Sequence, residues 1–423
     1  MRRIRKCVLA VFVAACAAVA GPGAGLTGMA AENTNVVIDW NHNMLATLAT
    51  AAVPAPAATR LGAIVQSAVF DAVNGIKPQY TAIHVAPAGP RGASREAAAV
   101  GAAYTALVAL FPAQKPALDA ARTVSIAGIG EGDGATSPAI SLGLDWGSSV
   151  ANQILAWRAS DGFNATPPPY VQGTAPGDWQ PTPGGTGPPK FRTLATTTPF
   201  ALTSPSQFRP AGPPSLTSEL YARDLNEVKS FGSIDSAVRT EFQTETAKFW
   251  AADTPTDMWD RVADSLAQAR HLNVLASARV LAFVNIAEAD ATIAVWEAKN
   301  TFNTWRPVTA IGDPSWQPLL ITPYFQEYPP GHSGVSSAAA GVLASLFGRR
   351  AEFTVTSNGL PGVQRTFNSF SGAVAQVADA RVFAGFHFRF ACADATDMGA
   401  QVARYVQEKL MQSVREGEDS STR

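Results

Sequence analysis

Apolar residues recur at steps of three and four along most of this chain, the spacing of one buried helix face. Over 55–76, "APAATRLGAIVQSAVFDAVNGI", Leu61, Ile64, Val65, Ala68, Val69 and Val73 keep that step and predict a helix. Comparable patterns cover 95–111, 138–160 and 218–231. The stretch from Met258 to Trp305 is long enough for two helices, and two more segments follow at 333–347 and 372–412. Alternating strand patterns are few, with "AEFTVTS" (351–357) the best short candidate. The pattern predicts an all-α protein, a large bundle of ten or more helices.

Between 164 and 217 the texture changes to a run rich in proline and glycine, which forbids regular helix. Tyr170, Trp179, Phe191, Phe200 and Phe208 are too many aromatics for a floppy linker, so an ordered excursion around the helical body is expected. A domain linker is the alternative. The expected organisation is a signal peptide over 1–31, one helical domain over 32–413 with its polar motifs within 290–400, and a frayed tail at 414–423.

Composition adds limits. The chain has 423 residues, 15% of them charged, and a formal net charge of -1. That balance gives no electrostatic reason to propose nucleic acid as a partner. The start, "MRRIRK" and then "CVLAVFVAACAAVA", has the basic and short apolar regions of an export signal. A secreted or periplasmic protein is therefore expected, with lipoprotein anchoring at Cys16 as the lesser alternative, and no other stretch is apolar enough to span a membrane. Cys7 and Cys16 fall in the signal. Cys392 is then alone in the mature chain, so no internal disulfide is expected and Cys392 reads as a small buried hydrophobe.

Three late stretches concentrate polar groups where the rest is apolar. In "KNTFNTWRP", Lys299 and Arg306 are seven apart, which on a continuous helix puts both on one face about 10 Å apart. Pro307 places Arg306 near a helix end. In "YPPGHSG", Gly331 allows close approach to the backbone, and the N–H groups of 331–333 open a helix, a ready anion site. His332 there is placed to exchange a proton with a bound oxyanion. In "ARVFAGFHFRF", Arg381 and His387 are six apart, which predicts Arg381 on the approach and His387 on the following helix, with Arg389 just beyond. A cation beside a histidine is a poor structural pair but a sensible one if both address the same anion. Two arginines, a lysine, a glycine turn and two histidines thus predict a site for a tetrahedral or trigonal-bipyramidal oxyanion. No zinc-ligand spacing, phosphate loop or dinucleotide fingerprint occurs. His42, His84 and His271 lie outside the motifs and read as structural or surface groups.

The order Lys-x6-Arg-Pro, Pro-x-Gly-His, Arg-x5-His resembles the type 2 phosphatidic-acid phosphatase superfamily, which includes the vanadium-dependent haloperoxidases. Trp305 before the arginine, Phe325 seven before His332, "AKFWAADTP" (247–255) and "QSAVFDAVNGI" (66–76) resemble the haloperoxidase side, over most of the mature chain. The resemblance implies a helical bundle of the vanadium haloperoxidase type and vanadate as cofactor, with phosphate able to occupy the same site. Lys299, Arg306, Arg381 and the N–H of Gly331 would hold the equatorial oxygens, and His387 would bond vanadium at the apex. His332 would be the acid–base group, Trp305 and Phe325 would line the halide side, and Asp253 would orient Arg381. The implied reaction oxidises halide with hydrogen peroxide to a hypohalous species, with a small organic acceptor. The alternatives are an acid phosphatase that turns over a phosphate ester through a phosphohistidine, and a non-catalytic anion-binding member.

The chain departs from the family pattern in three places. Pro330 stands where the usual motif has serine, and it offers neither hydroxyl nor N–H to an anion. Ala380 replaces the serine before the third-motif arginine. Ala391 replaces an aspartate after the histidine, for which Asp394 is the nearest substitute.

Overall fold

In the computed structural model, which describes residues 35–86, 88–132 and 136–414, the described residues form thirteen α-helices and one hairpin. The first five helices are α1 (Val36–Thr50), α2 (Ala55–Ile76), α3 (Arg95–Leu110), α4 (Lys115–Gly132) and α5 (Ser137–Ala159). After a long irregular stretch come α6 (Glu219–Phe231), α7 (Glu241–Phe249), α8 (Pro255–Ala269), α9 (Val274–Phe302) and α10 (Pro307–Ile311). The last three are α11 (Gly331–Phe347), α12 (Phe370–Phe383) and α13 (Arg389–Lys409). Strands β1 (Phe353–Thr356) and β2 (Gln364–Phe367) pair antiparallel, Phe353 opposite Phe367. The all-α expectation holds. Both the expected signal region and the tail from 415 lie outside the described residues.

Helix α9 is the axis of the bundle, buried on nearly every side and packed against α2, α8, α11 and α13. A helix apolar all round has to be a core helix. Small residues set how closely its neighbours approach. A Cβ on Gly399 of α13 would lie 2.1 Å from the Gly334 carbonyl of α11, so those two backbones touch. Gly147 of α5 meets the Ala98 carbonyl of α3 at the same 2.1 Å.

The stretch 164–217 carries one short 3-10 turn, Arg192–Thr196, and is pinned to the bundle by buried polar groups. Asp290 on α9 accepts the backbone N–H groups of Phe200, Ala201 and Leu202 at 2.6, 2.8 and 3.0 Å. Arg158 at the end of α5 donates to the Thr198 and Pro199 carbonyls and to Asp161, which Arg60 of α2 also grips at 2.7 Å. Trp179 is fully buried, and its backbone N–H reaches the Asn303 carbonyl at 2.7 Å. Apart from the two arginine–Asp161 pairs, each contact satisfies a main-chain group that proline and glycine keep out of regular structure. Among the described residues no single helix is long and apolar enough to cross a membrane.

Candidate oxyanion site

The second and third late motifs line one cleft of about 170 Å³, where α2 and α11 begin and α12 ends, and the first joins them through Arg306, 3.0 Å from His387, and Lys299, 5.3 Å from the Phe325 ring. Gly331, His332, Phe325, Arg381 and His387 line it.

Lys299 lies in the last turn of α9, fully buried, and its ammonium donates to the Gln326 and Glu327 carbonyls at 2.7 and 2.8 Å. The helix does not continue to Arg306. It ends at Phe302, Asn303 takes a left-handed conformation (φ 48°), and Arg306 caps the short α10 instead. The shared helix face expected for Lys299 and Arg306 is therefore replaced by a turn that returns the arginine to the same place. Its guanidinium donates to the Phe325 carbonyl (Nε, 2.7 Å) and the Phe386 carbonyl (Nη1, 3.1 Å) and lies 4.9 Å from the Phe325 ring. Arg381 sits in the last turn of α12 and is anchored through Nη1 to the Trp250 carbonyl at 3.0 Å. Buried Arg306 Nη2 and Arg381 Nε have no acceptor among the described residues.

His387 lies in the loop between α12 and α13, not on the following helix as expected. Its Nδ1 is 2.9 Å from Glu327 Oε1 and its Nε2 is 3.0 Å from Arg306 Nη1. His332 opens α11 at the cleft, and its imidazole makes no hydrogen bond among the described residues. The first N–H groups of α11 have no partner within the helix, and Pro330 at its N-cap supplies no side-chain cap.

Two expected roles change. The Asp253 carboxylate pairs with Arg261 at 2.6 Å and accepts the Asn358 N–H at 2.9 Å, so it does not orient Arg381; the "AKFWAADTP" stretch serves that arginine through the Trp250 carbonyl. Trp305 turns away from the cleft and donates to the Tyr221 hydroxyl at 2.7 Å. The cleft wall is built instead by Trp296, Phe386 and Phe325, of which only Phe325 was expected. Asp394 is taken by the Tyr328 hydroxyl at 2.6 Å and does not replace the aspartate missing at Ala391. Arg389 is held outside by Glu227 and Asp379. Cys392 is fully buried, its thiol pushed up to about 12 mainly by burial. Of the remaining histidines, His42 meets Asp264 and His84 stacks on Trp157.

The electrostatics follow from burial of like charges. Burial, then Arg306, holds the Lys299 ammonium well below its usual value, and burial brings Arg306 to about 9 and Arg381 to about 10. Glu327 is raised to about 7 by burial, against the pull of Lys299 and Arg306. Both site histidines are held well below their usual value by burial first and the neighbouring cations second, so the imidazoles are neutral at pH 7. Three cations facing one carboxylate, with guanidinium donors to spare, suit a multiply charged anion.

Residues 279–314 and 310–416 match the family described as the VCPO second helical-bundle domain. The chain is 23% identical over 236 residues to the vanadium chloroperoxidase of Curvularia inaequalis. That match spans 39% of this chain and 39% of the relative, about two fifths of its length. A bacterial vanadium-dependent iodoperoxidase superposes with a TM-score of 0.78 at 27% identity, covering 91% of this chain and 98% of that one. A bacterial vanadium-dependent chloroperoxidase in its holo form shares the fold, with a TM-score of 0.65, 18% identity and coverage of 84% and 92%. With the three motifs of its second half folded around one cleft on this bundle, the chain is a vanadium haloperoxidase-like protein.

Proposed function

We propose that this protein is a vanadate-dependent haloperoxidase that oxidises halide with hydrogen peroxide to a hypohalous species. The observation that supports it best is a pair of buried donors without an acceptor among the described residues, Arg306 Nη2 and Arg381 Nε: Arg381 lines the cleft with two neutral histidines, and Arg306 and Lys299 lie against its His387 and Phe325. Those donors fit the oxygens of vanadate, and His387 Nε2 is the nitrogen available to its metal. Bound vanadate would supply Lewis-acid activation of peroxide without changing oxidation state. Lys299, Arg306, Arg381 and the Gly331 N–H then hold the oxyanion, His332 moves protons at its edge, and Phe325, Trp296 and Phe386 exclude water.

Purified protein given orthovanadate, peroxide and iodide, bromide or chloride in turn is expected to halogenate a diketone dye. His332→Ala should lower turnover about 100-fold or more. Tight vanadate binding without turnover on any halide overturns the reading. The same unprotonated His387 nitrogen favours, as a second reading, an acid phosphatase. Hydrolysis of an aryl phosphate that His387→Ala abolishes and vanadate inhibits would decide for it. We propose also that the N-terminal stretch directs export, which N-terminal sequencing of mature protein tests.

A further inference from the structure

Among the described residues, His387 has one carboxylate partner, and it comes from the segment before α11 rather than from α13. Glu327 is 1% exposed, and its Oε1 lies 2.9 Å from His387 Nδ1 and accepts the Phe388 N–H at 3.2 Å. On the other side of the ring Arg306 Nη1 is 3.0 Å from Nε2. A guanidinium only donates, so Nε2 must be the acceptor and carry no proton. The ring hydrogen therefore sits on Nδ1 and points at Glu327. The main chain of the same residue accepts Lys299 at 2.8 Å, so one residue fixes both a cation and a histidine of the site. Neither downstream residue does this work: Ala391 has no acceptor, and Asp394 is occupied by Tyr328.

We propose that Glu327 is the positioning residue of His387. It selects the Nδ1–H tautomer and aims the Nε2 lone pair at the oxyanion site, in place of the carboxylate lost at position 391. Arg306 Nη1 covers that lone pair until an oxyanion oxygen takes over its hydrogen bond. The proposal rests on the oxyanion reading of the cleft for its use, but not for its geometry.

Nitrogen-15 NMR of histidine-labelled protein, with His387 assigned by loss of its signals in His387→Ala, reads the tautomer directly. The wild type is expected to show His387 as the Nδ1–H form, and Glu327→Gln to keep it, because the amide oxygen still accepts. Glu327→Leu, which removes the Nδ1 acceptor while Arg306 still donates to Nε2, should weaken that preference and lower orthovanadate affinity about 10- to 100-fold by calorimetry, the usual cost of deleting such a partner. An Nε2–H or mixed His387 in wild type overturns the proposal by itself, whether or not Glu327→Leu folds. Equal tautomer and vanadate affinity in wild type and Glu327→Leu also overturn it, while leaving the oxyanion site standing. A wild type that binds neither vanadate nor phosphate removes the oxyanion reading alone, and the tautomer result still decides the pairing.

Discussion

His332 and His387 share a cleft but are prepared for different work. His387 is held at both ring nitrogens, by Glu327 and Arg306, whereas the His332 imidazole is left without a hydrogen bond among the described residues. Its base strength is lowered by burial first and then by Arg381, Lys299 and Arg306. An oxyanion that neutralises those cations must raise it again, so binding should draw a proton onto His332. Calorimetry of phosphate binding at pH 7 in buffers of different ionisation enthalpy should show extra uptake, approaching about one proton, in wild type relative to His332→Gln. The difference cancels the protonation of phosphate itself, and equal uptake in both proteins would refute the coupling. The cations and histidines of this site were legible in the sequence because each interrupts an apolar stretch. Glu327 was not, since its partner is sixty residues away and nothing in "YFQEYPPGH" points to it. Trp296 had a readable signal: three residues before Lys299 on one helix, it must share that face, whereas Trp305 follows the turn at Asn303.

At the scale of elements, α9 carries the site and the excursion together. Lys299 occupies its last turn, and two and a half turns earlier Asp290 holds three consecutive main-chain N–H groups of the excursion. Removing that carboxylate leaves buried donors without an acceptor. Asp290→Ala should cost about 3 kcal/mol and make the 164–217 segment a preferred site of limited proteolysis. An unchanged denaturant midpoint together with unchanged cleavage would show that the aromatics alone hold the segment. Helix periodicity located α2, α3, α5, α6 and α11 to within a few residues, and ran α12 and α13 together as one segment over 372–412. It missed α1, whose buried face includes Asn41, it missed α4, and it missed α7 and α10, whose nine and five residues give too short a window. Those helices are fixed by polar partners and packing, which a hydrophobic pattern does not record.

For the whole molecule, the cations of the cleft stand beside core acids whose pKa burial raises, so the core does not neutralise them. Asp260 and Asp264 of α8 and Glu288 of α9 are buried where α1, α2, α8 and α9 meet, and each keeps one carboxyl oxygen without a partner among the described residues. Glu288 lies one turn before Thr292, which lines the cleft, and its other oxygen accepts the Thr256 hydroxyl at 2.8 Å. Burial raises Glu288 from 4.5 to about 8, and burial followed by Glu288 and Asp264 raises Asp260. A carboxyl raised in the folded state binds its proton there after the unfolded chain has lost it, so stability falls as pH rises. For Glu288 the loss begins near pH 4.5, runs at roughly 1 kcal/mol per pH unit, and is complete once pH passes about 8. Glu288→Gln keeps an oxygen for Thr256 and cannot ionise. Its unfolding free energy, measured from pH 5 to pH 9, should therefore decline less steeply than that of wild type, and it should be the more stable of the two at the alkaline end. Parallel curves would mean that Glu288 is already ionised in the fold, and that the positive charge of the cleft is balanced from within the core instead of by the anion it binds.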